Sequence, residues 1–114
     1  MAITIYKICP AALWRAAERA GVFHGSDVDR RDGFIHFSTA AQAAETAARH
    51  FSGQRDLVLV AVEAAALGPD LKWEPSRGGA LFPHLYGALD LAAVRRVDPL
   101  PLGPDGHVFP ELAA

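Results

Sequence analysis

The stretch Asp32-Gly33-Phe34-Ile35-His36-Phe37-Ser38-Thr39 combines a turn, a short apolar strand and the start of a helix. Asp-Gly pairs are typical of tight turns, and the residues from Phe34 to Phe37 alternate as those of a strand do. Thr39 and Gln42 have the spacing of a capping box, which opens a helix. A helix N-terminus exposes backbone N–H groups and the positive end of the helix dipole. This junction is therefore suited to hold a phosphate or a carboxylate.

The sequence before this stretch predicts a strand, a helix and a loop. Ile3 to Ile8 is a β-branched run that Cys9-Pro10 ends, with Pro10 as an early helical residue. Ala11 to Ala20 consists of strong helix formers, and Gly21 is the expected terminator. Val22 to Arg31 carries turn and charge signals without periodicity, which predicts an irregular loop.

The sequence after this stretch predicts one further helix and then mostly strands. The helix runs from about Ala40 to Phe51, with a face of small residues toward a sheet and Gly53 as its end. Leu57 to Glu63 is an apolar run typical of a central strand buried on both faces. Three shorter strand-like segments follow: Leu71 to Glu74, Phe82 to Gly87 and Ala93 to Leu100. Pro83 indicates an edge strand or the start of a strand.

This order of elements predicts an α+β fold. Only one long helix lies between the later strands, so a mixed or antiparallel sheet is favoured over repeated βαβ units. With 114 residues, of which 51% are hydrophobic and 21% charged, the chain is expected to form a single globular domain over residues 1–114. The tail from Pro101 to Ala114 is rich in Pro and Gly.

The composition also restricts the cellular compartments and the classes of binding partner that are expected. The single cysteine, Cys9, excludes an internal disulfide, and this favours a reducing compartment, so cytoplasmic localisation is predicted. The sequence has no apolar run of membrane-spanning length and no secretory signal, so no membrane partner is expected. A net charge of −2 and a pI near 6.2 argue against binding to duplex nucleic acid. The oligomeric state is left open.

His36 is the first candidate site residue, because it lies in an otherwise apolar strand. Strand parity places it on the side of Phe34 and Ser38. A lone histidine is more often structural, since one backbone hydrogen bond satisfies a buried imidazole. Either Ser38 or Thr39 is expected to cap the helix, and a ligand contact would be an additional role.

Glu74, His84 and Tyr86 form a second set of candidates. Glu74 ends a short strand, where a carboxylate can orient a ribose hydroxyl or act as a base; the alternative is a surface glutamate beside a half-buried Trp73. His84 and Tyr86 share one face of an extended segment, which fits an aromatic wall with a hydrogen-bonding imidazole. The alternative for this pair is the edge of the core.

Other sites of known chemistry are not indicated by the sequence. The five histidines have no ligand-like spacing and there are no paired cysteines, so no metal site is expected. Ser38 lacks the surrounding glycines of a hydrolase nucleophile elbow, and no glycine-rich phosphate loop is present.

The motifs described above resemble a small bacterial family known as domain of unknown function 952. The resemblance covers about Ile5 to Leu100. It rests on four motifs in order: Ile5-Tyr6-Lys7-Ile8, Asp32 to Thr39 with Gln42, Leu71 to Glu74, and Phe82 to Gly87. The resemblance implies an ADP-ribosyltransferase-like fold, in which two small sheets pack face to face with two main helices. An NAD site would lie in the cleft between those sheets.

The same resemblance implies roles for particular residues. Lys7 is similar in place to a basic or histidine residue on the first strand of ADP-ribosyltransferases, and Phe37-Ser38-Thr39 is similar to a strand end that precedes a helix. The late catalytic glutamate pair of those enzymes is absent, and Glu74 and Glu111 are only stand-ins. Such a glutamate stabilises an oxocarbenium-like centre, so its loss raises the barrier to transfer.

Three hypotheses about function follow. In the first, the protein is an ADP-ribosyltransferase-like or nucleotide-processing enzyme that uses NAD as a substrate and needs no cofactor. Its catalytic residues would be His36, His84 and Glu74, and its ligand-binding residues would be Lys7, Phe34, Ser38, Thr39 and Tyr86. In the second, a non-catalytic module binds a nucleotide or another small anionic ligand in the same cleft. The first two require His36, Ser38, His84 and Tyr86 to line one cavity. In the third, a structural or protein-interaction domain leaves the two histidines buried and far apart.

Overall fold

The computed structural model describes residues 3–113, apart from the side chain of Arg77. The helices are α1 (Ala11–Ala20), α2 (Asp27–Asp32) and α3 (Ala40–His50), and short 3₁₀ segments cover Ala64–Asp70, Arg77–Gly79 and Leu91–Ala93. The strands are β1 (Thr4–Pro10), β2 (Val22–Phe23), β3 (Ile35–His36), β4 (Ser38–Thr39), β5 (Leu57–Glu63), β6 (Leu71–Pro75), β7 (Leu81–Leu85), β8 (Leu89–Asp90), β9 (Val94–Leu100), β10 (Leu102–Gly103) and β11 (Gly106–His107).

The strands form two main sheets and two small ribbons. One sheet has the order β4-β1-β5-β9 and the other has the order β3-β7-β6, while β2 pairs with β8 and β10 pairs with β11. All of these pairings are antiparallel. The predicted α+β class with small antiparallel sheets is therefore confirmed.

The four-stranded sheet is covered on both faces, as the apolar run of β5 predicts. One face carries Val60 and Val62 in a core with Trp14 of α1, and the three-stranded sheet joins this core through Ile35 and Leu85. A second core on the other face contains side chains from β1, β5, β9 and α3, with Phe109 and Leu112 of the tail packed against it: Tyr6, Ile8, Ala47, Leu57, Leu59, Ala61 and Leu100. The tail thus covers part of the sheet, and its β10-β11 hairpin was not predicted.

The two longer helices match their predictions closely. Gly21 ends α1 in a left-handed conformation (φ 79°), and its N–H donates to the Ala17 carbonyl. At the start of α3, the Thr39 N–H donates to Gln42 Oε1 at 3.0 Å, as a capping box requires. Two details differ, since Pro10 ends β1 instead of opening the helix and α3 ends at His50, before Gly53. No helix in the described part of the chain is long and apolar enough to cross a membrane.

The prediction of an irregular loop over Val22 to Arg31 is wrong. This segment contains β2 and most of α2, and α2 continues to Asp32, so Gly33 is a left-handed helix cap and not part of a hairpin turn. Ser26 Oγ accepts from the Asp29 N–H, and the Asp29 carboxylate accepts from the Ser26 N–H. A helix of six residues shows too few turns for an apolar stripe, so its caps are the main signal in the sequence.

The prediction that Pro83 marks an edge or a strand start is also wrong. Pro83 lies in the middle of β7, which is the central strand of its sheet. The Pro83 carbonyl accepts from the N–H of Phe37, which lies just beyond the end of β3. In an antiparallel strand, the N–H and C=O of one residue point to the same side. The position where Pro83 lacks an N–H therefore faces the end of β3, and no hydrogen bond between β7 and β6 is lost.

Candidate functional site

One face of the three-stranded sheet carries most of the predicted site residues. In the register, His36 lies opposite His84, and His84 lies opposite Lys72. Their neighbours Ile35 and Leu85 point the other way, into the core. By the same alternation, Phe82 also lies on the outer face, together with six side chains that we call the polar aromatic face: Phe34, His36, Lys72, Glu74, His84 and Tyr86.

Four rings on this face are in contact. The Phe34 ring stacks on His84 with centroids 4.1 Å apart, and it meets His36 at 4.6 Å and Tyr86 at 5.2 Å. The two histidine rings lie 5.6 Å apart in an edge arrangement. The distant histidines expected of a purely structural domain are therefore not observed, although His84 is buried.

Glu74 joins this cluster through two short hydrogen bonds. Its Oε1 faces His84 Nδ1 at 2.8 Å and accepts from the Tyr86 hydroxyl at 2.7 Å. These hydrogen bonds, first from Tyr86 and then from His84, lower the pKa of the Glu74 carboxyl, and the bond to Glu74 raises the pKa of the Tyr86 phenol. Glu74 is thus held as a carboxylate at the edge of an aromatic surface.

His36 is oriented by two carboxylates of α2. Its Nδ1 lies 2.6 Å from Asp29 Oδ1, and its Nε2 lies 3.0 Å from Asp32 Oδ2. Carboxylate oxygens therefore face both ring nitrogens of His36. The ring is about one-third exposed (35%), which leaves its edge accessible from solvent.

Asp29 is the residue that the sequence analysis missed. It is 2% exposed, and its carboxylate contacts Lys7 Nζ at 2.7 Å and 3.0 Å. It also accepts from the backbone N–H groups of Ser26 and His36. Burial acts to raise the pKa of the Asp29 carboxyl, but the hydrogen bond from His36 and the charge of Lys7 outweigh it, so that pKa lies well below its usual range. The capping-box spacing from Ser26 to Asp29 was the available signal.

Gly25 allows α2 to approach this close. Its φ is +101°, and a Cβ atom there would lie 2.7 Å from the Cβ of Asp29. Only glycine combines this backbone conformation with that distance. The Gly25-Ser26 pair therefore sets where Asp29 sits between β1 and β3.

Lys7, Ser38 and Thr39 lie off the polar aromatic face. Lys7 is buried and connects to His36 only through Asp29. Ser38 Oγ shares a hydrogen bond with Thr46 Oγ1 of α3, and Thr39 caps the same helix. The chain passes from the three-stranded to the four-stranded sheet after His36, so strand parity does not extend to Ser38. Ligand contacts by these three residues stay predictions.

Clefts open on the surface of the described residues, and two of them bear on the site. The smaller, of about 190 Å³, adjoins the polar aromatic face through Phe34; its lining is His24, Asp29, Arg30, Gly33, Phe34, Ile35, Gly87 and Ala88. The larger, of about 290 Å³, lies between the tail and the four-stranded sheet, near Tyr6 and Arg96. His36, Ser38, His84 and Tyr86 line neither of these clefts, and Ser38 is directed toward Thr46 of α3.

Metal ligands do not converge in the described residues. Within 3–113, no group of three or more His, Cys, Asp or Glu side chains has the geometry to hold a metal ion. Cys9 is buried in the first core, and this burial raises the pKa of its thiol to about 11, so the thiol is protonated and unreactive at neutral pH.

Most of the chain matches a known protein family. The family described as "Protein of unknown function (DUF952)" matches residues 8–97. The chain belongs to this family. This match confirms the family resemblance that the sequence motifs predicted from Ile5 to Leu100. All residues of the polar aromatic face lie inside the matched region.

Solved structures of one bacterial protein share this fold. The crystal structure of protein CC0527 from Caulobacter crescentus is 58% identical, with a TM-score of 0.88 over 91% of this chain and 91% of that chain. Its solution NMR structure is also 58% identical, with a TM-score of 0.82 over 91% of this chain and 90% of that one. No match was found among curated proteins. The family and the fold are therefore established, and function has to be argued from the site.

Proposed function

We propose that the polar aromatic face binds a nucleotide-like ligand and that the protein acts on it as an ADP-ribosyltransferase-like or nucleotide-processing enzyme in the cytoplasm, with NAD as substrate. The observation that carries this proposal is the placement of the Glu74 carboxylate between His84 and Tyr86, beside the Phe34 ring. A planar, partly exposed aromatic surface and a fixed carboxylate are the two features that such chemistry needs.

The rings supply binding energy without reading a specific base. Tyr86 is 38% exposed, so its ring presents area on which a base or a nicotinamide ring can stack. Stacking of one base on an aromatic side chain contributes about 1–3 kcal/mol. The Phe34 ring contacts Tyr86 and stacks on the buried His84, so the Tyr86 ring is packed against a second ring.

Glu74 is the carboxylate best placed for the chemical step. Transfer of ADP-ribose develops positive charge on the ribose, and a carboxylate near that ring stabilises the charge and orients the hydroxyls. Because its hydrogen bonds lower the pKa of Glu74, the side chain is ionised at neutral pH without further cost. It stands alone, without the second glutamate of the ADP-ribosyltransferase pair, so His36 and His84 are the polar groups that assist it.

The binding proposal is tested by calorimetric titration of NAD, ADP-ribose and AMP. We expect binding to the wild-type protein and a loss of about 1–3 kcal/mol for Tyr86→Ala, because the stacking surface is removed. Tyr6→Phe is the matched control, since Tyr6 lies in the second core and donates to the Ala113 carbonyl. A folded protein that binds none of the three ligands would contradict the proposal.

The catalytic proposal is tested by nicotinamide release from NAD. Glu74→Gln keeps the shape of the side chain and removes its charge, so we expect binding to persist while release falls about 10²-fold or more. Glu63→Gln, at the end of β5, serves as the control for loss of one carboxylate.

The alternative is a non-catalytic module that binds a nucleotide or small anion in the same place. The absence of a glutamate pair in the sequence favours it. Ligand binding without detectable nicotinamide release or transfer, in the wild type and in Glu74→Gln alike, would support this alternative over the enzyme.

A further inference from the structure

We propose that the cleft beside Phe34 is an anion subsite that takes a phosphoryl group of the ligand, with Arg30 and His24 as its donors. This inference rests on the proposed binding of a nucleotide-like ligand to the polar aromatic face. It adds to that proposal a second contact region, its chemistry and two residues that the sequence analysis did not select.

The size of the cleft fits part of a ligand. Its volume is about 190 Å³. Sites that enclose a whole drug-sized ligand measure about 300–1,000 Å³. A phosphate or diphosphate fits this space, and the rest of a nucleotide has to lie outside it.

The cleft and the polar aromatic face meet at one residue. Phe34 lines the cleft and also stacks on His84 and touches Tyr86. A ligand whose ring lies on Tyr86 therefore reaches the cleft by crossing Phe34, without leaving the protein surface. This continuity is the geometric reason to assign both regions to one ligand.

The basic groups of the cleft are available for an anion. Arg30 and His24 are exposed, and neither side chain makes a hydrogen bond or ion pair within the described residues. The guanidinium offers a planar fork of donors that matches phosphate oxygens, and an imidazole can supply one more. Most other basic groups nearby are occupied, because Lys7 pairs with Asp29 and Arg31 with Asp32.

The acidic group of the cleft does not cancel this charge. Asp29 lines the cleft, but its carboxylate already contacts the Lys7 ammonium and the His36 ring, and it accepts from two backbone N–H groups. Within the lining, Arg30 and His24 are therefore the basic groups without a partner, and the Asp29 carboxylate is already paired.

The test compares three probes by calorimetry or NMR titration: ADP-ribose, adenosine and inorganic pyrophosphate. We expect Arg30→Ala to weaken ADP-ribose and pyrophosphate by about 10-fold or more, since a hydrogen bond to a charged group is lost, and to leave adenosine unchanged. His24→Ala should also weaken the binding of ADP-ribose and pyrophosphate, by a smaller factor. Arg19→Ala is the matched control, because Arg19 is an exposed arginine in the last turn of α1, outside the cleft.

The outcomes separate this inference from the proposed function. If ADP-ribose binds equally well to Arg30→Ala and Arg19→Ala, the anion subsite is overturned while nucleotide binding stands. If pyrophosphate binds through Arg30 but neither adenosine nor ADP-ribose binds more tightly than pyrophosphate, the cleft is an anion site and the nucleotide proposal fails. If none of the three probes binds, both are overturned.

Discussion

Single buried polar residues organise the site. Among the described residues, Lys7, Asp29, Ser38 and His84 are the buried polar or charged side chains, and each has a polar partner. Asp29 has the most partners, since it joins β1, α2 and β3 through one carboxylate. At a buried charge with this many contacts, a small chemical change has a large effect on the free energy of unfolding.

Replacing Asp29 with Asn is predicted to cost about 3–5 kcal/mol of the free energy of unfolding, because the buried Lys7 ammonium loses its anionic partner. Urea denaturation at pH 7 measures this change. Asp27→Asn is the control: Asp27 is exposed in the first turn of the same helix, where the loss is expected to stay within about 0.3–1 kcal/mol. Equal effects of the two variants would show that the Lys7–Asp29 pair contributes no more than a surface charge.

The short helix α2 carries both carboxylates that contact the His36 ring. A helix of six residues is too short to be stable alone in water, so its caps and its contacts have to stabilise it. Ser26 caps its first turn, and Gly33 ends it in a left-handed conformation (φ 87°). The position of His36 thus depends on an element whose stability comes mainly from its two ends.

Ser26→Ala is predicted to destabilise the protein by about 0.5–2 kcal/mol, because the Asp29 N–H loses its acceptor. Hydrogen exchange should show the loss of protection concentrated in α2, where local opening is easiest. Ser26→Asp, which keeps a capping oxygen, should restore most of the stability. Ser52→Ala is a control in an exposed turn after α3; a loss as large as that of Ser26→Ala would argue against the cap.

At the scale of the whole molecule, the Lys7–Asp29–His36 connection joins the two main sheets. Lys7 belongs to the four-stranded sheet and His36 to the three-stranded sheet, and the first core lies between these sheets. Protonation of Asp29 would therefore weaken the contact between sheets as well as a local bond.

Acid is predicted to destabilise the protein through this residue. The pKa of Asp29 in the folded protein lies below the value of about 3.9 expected when it is unfolded, so the unfolded state binds more protons in this range. Its contribution is complete above about pH 5 and is lost as the pH falls through 4 toward the folded pKa. The difference in unfolding free energy between the wild type and Asp29→Asn should therefore narrow as the pH falls from 7 to 3. A constant difference across that range would contradict this assignment.

Much of the architecture follows from local sequence signals. Gly21 at the end of α1, the Thr39–Gln42 capping box of α3 and the apolar run of β5 each act within a few residues, so one sequence suffices to place them. The spacing of His84 and Tyr86 likewise predicts that both side chains share one face, because strand alternation is a local property.

Tertiary structure decided how these elements meet. His36 and His84 are neighbours only because β3 pairs with β7, and Ser38 leaves their face because the chain changes sheets after His36. Asp29 became the centre of the site since α2 brings it between His36 and Lys7, which is 22 residues away in the sequence. The sequence by itself determined the longer helices, the central strand and the family. Burial and long-range strand pairing determined which polar groups share one site. The free energies of burial and of pairing depend on tertiary contacts, which local sequence patterns do not specify.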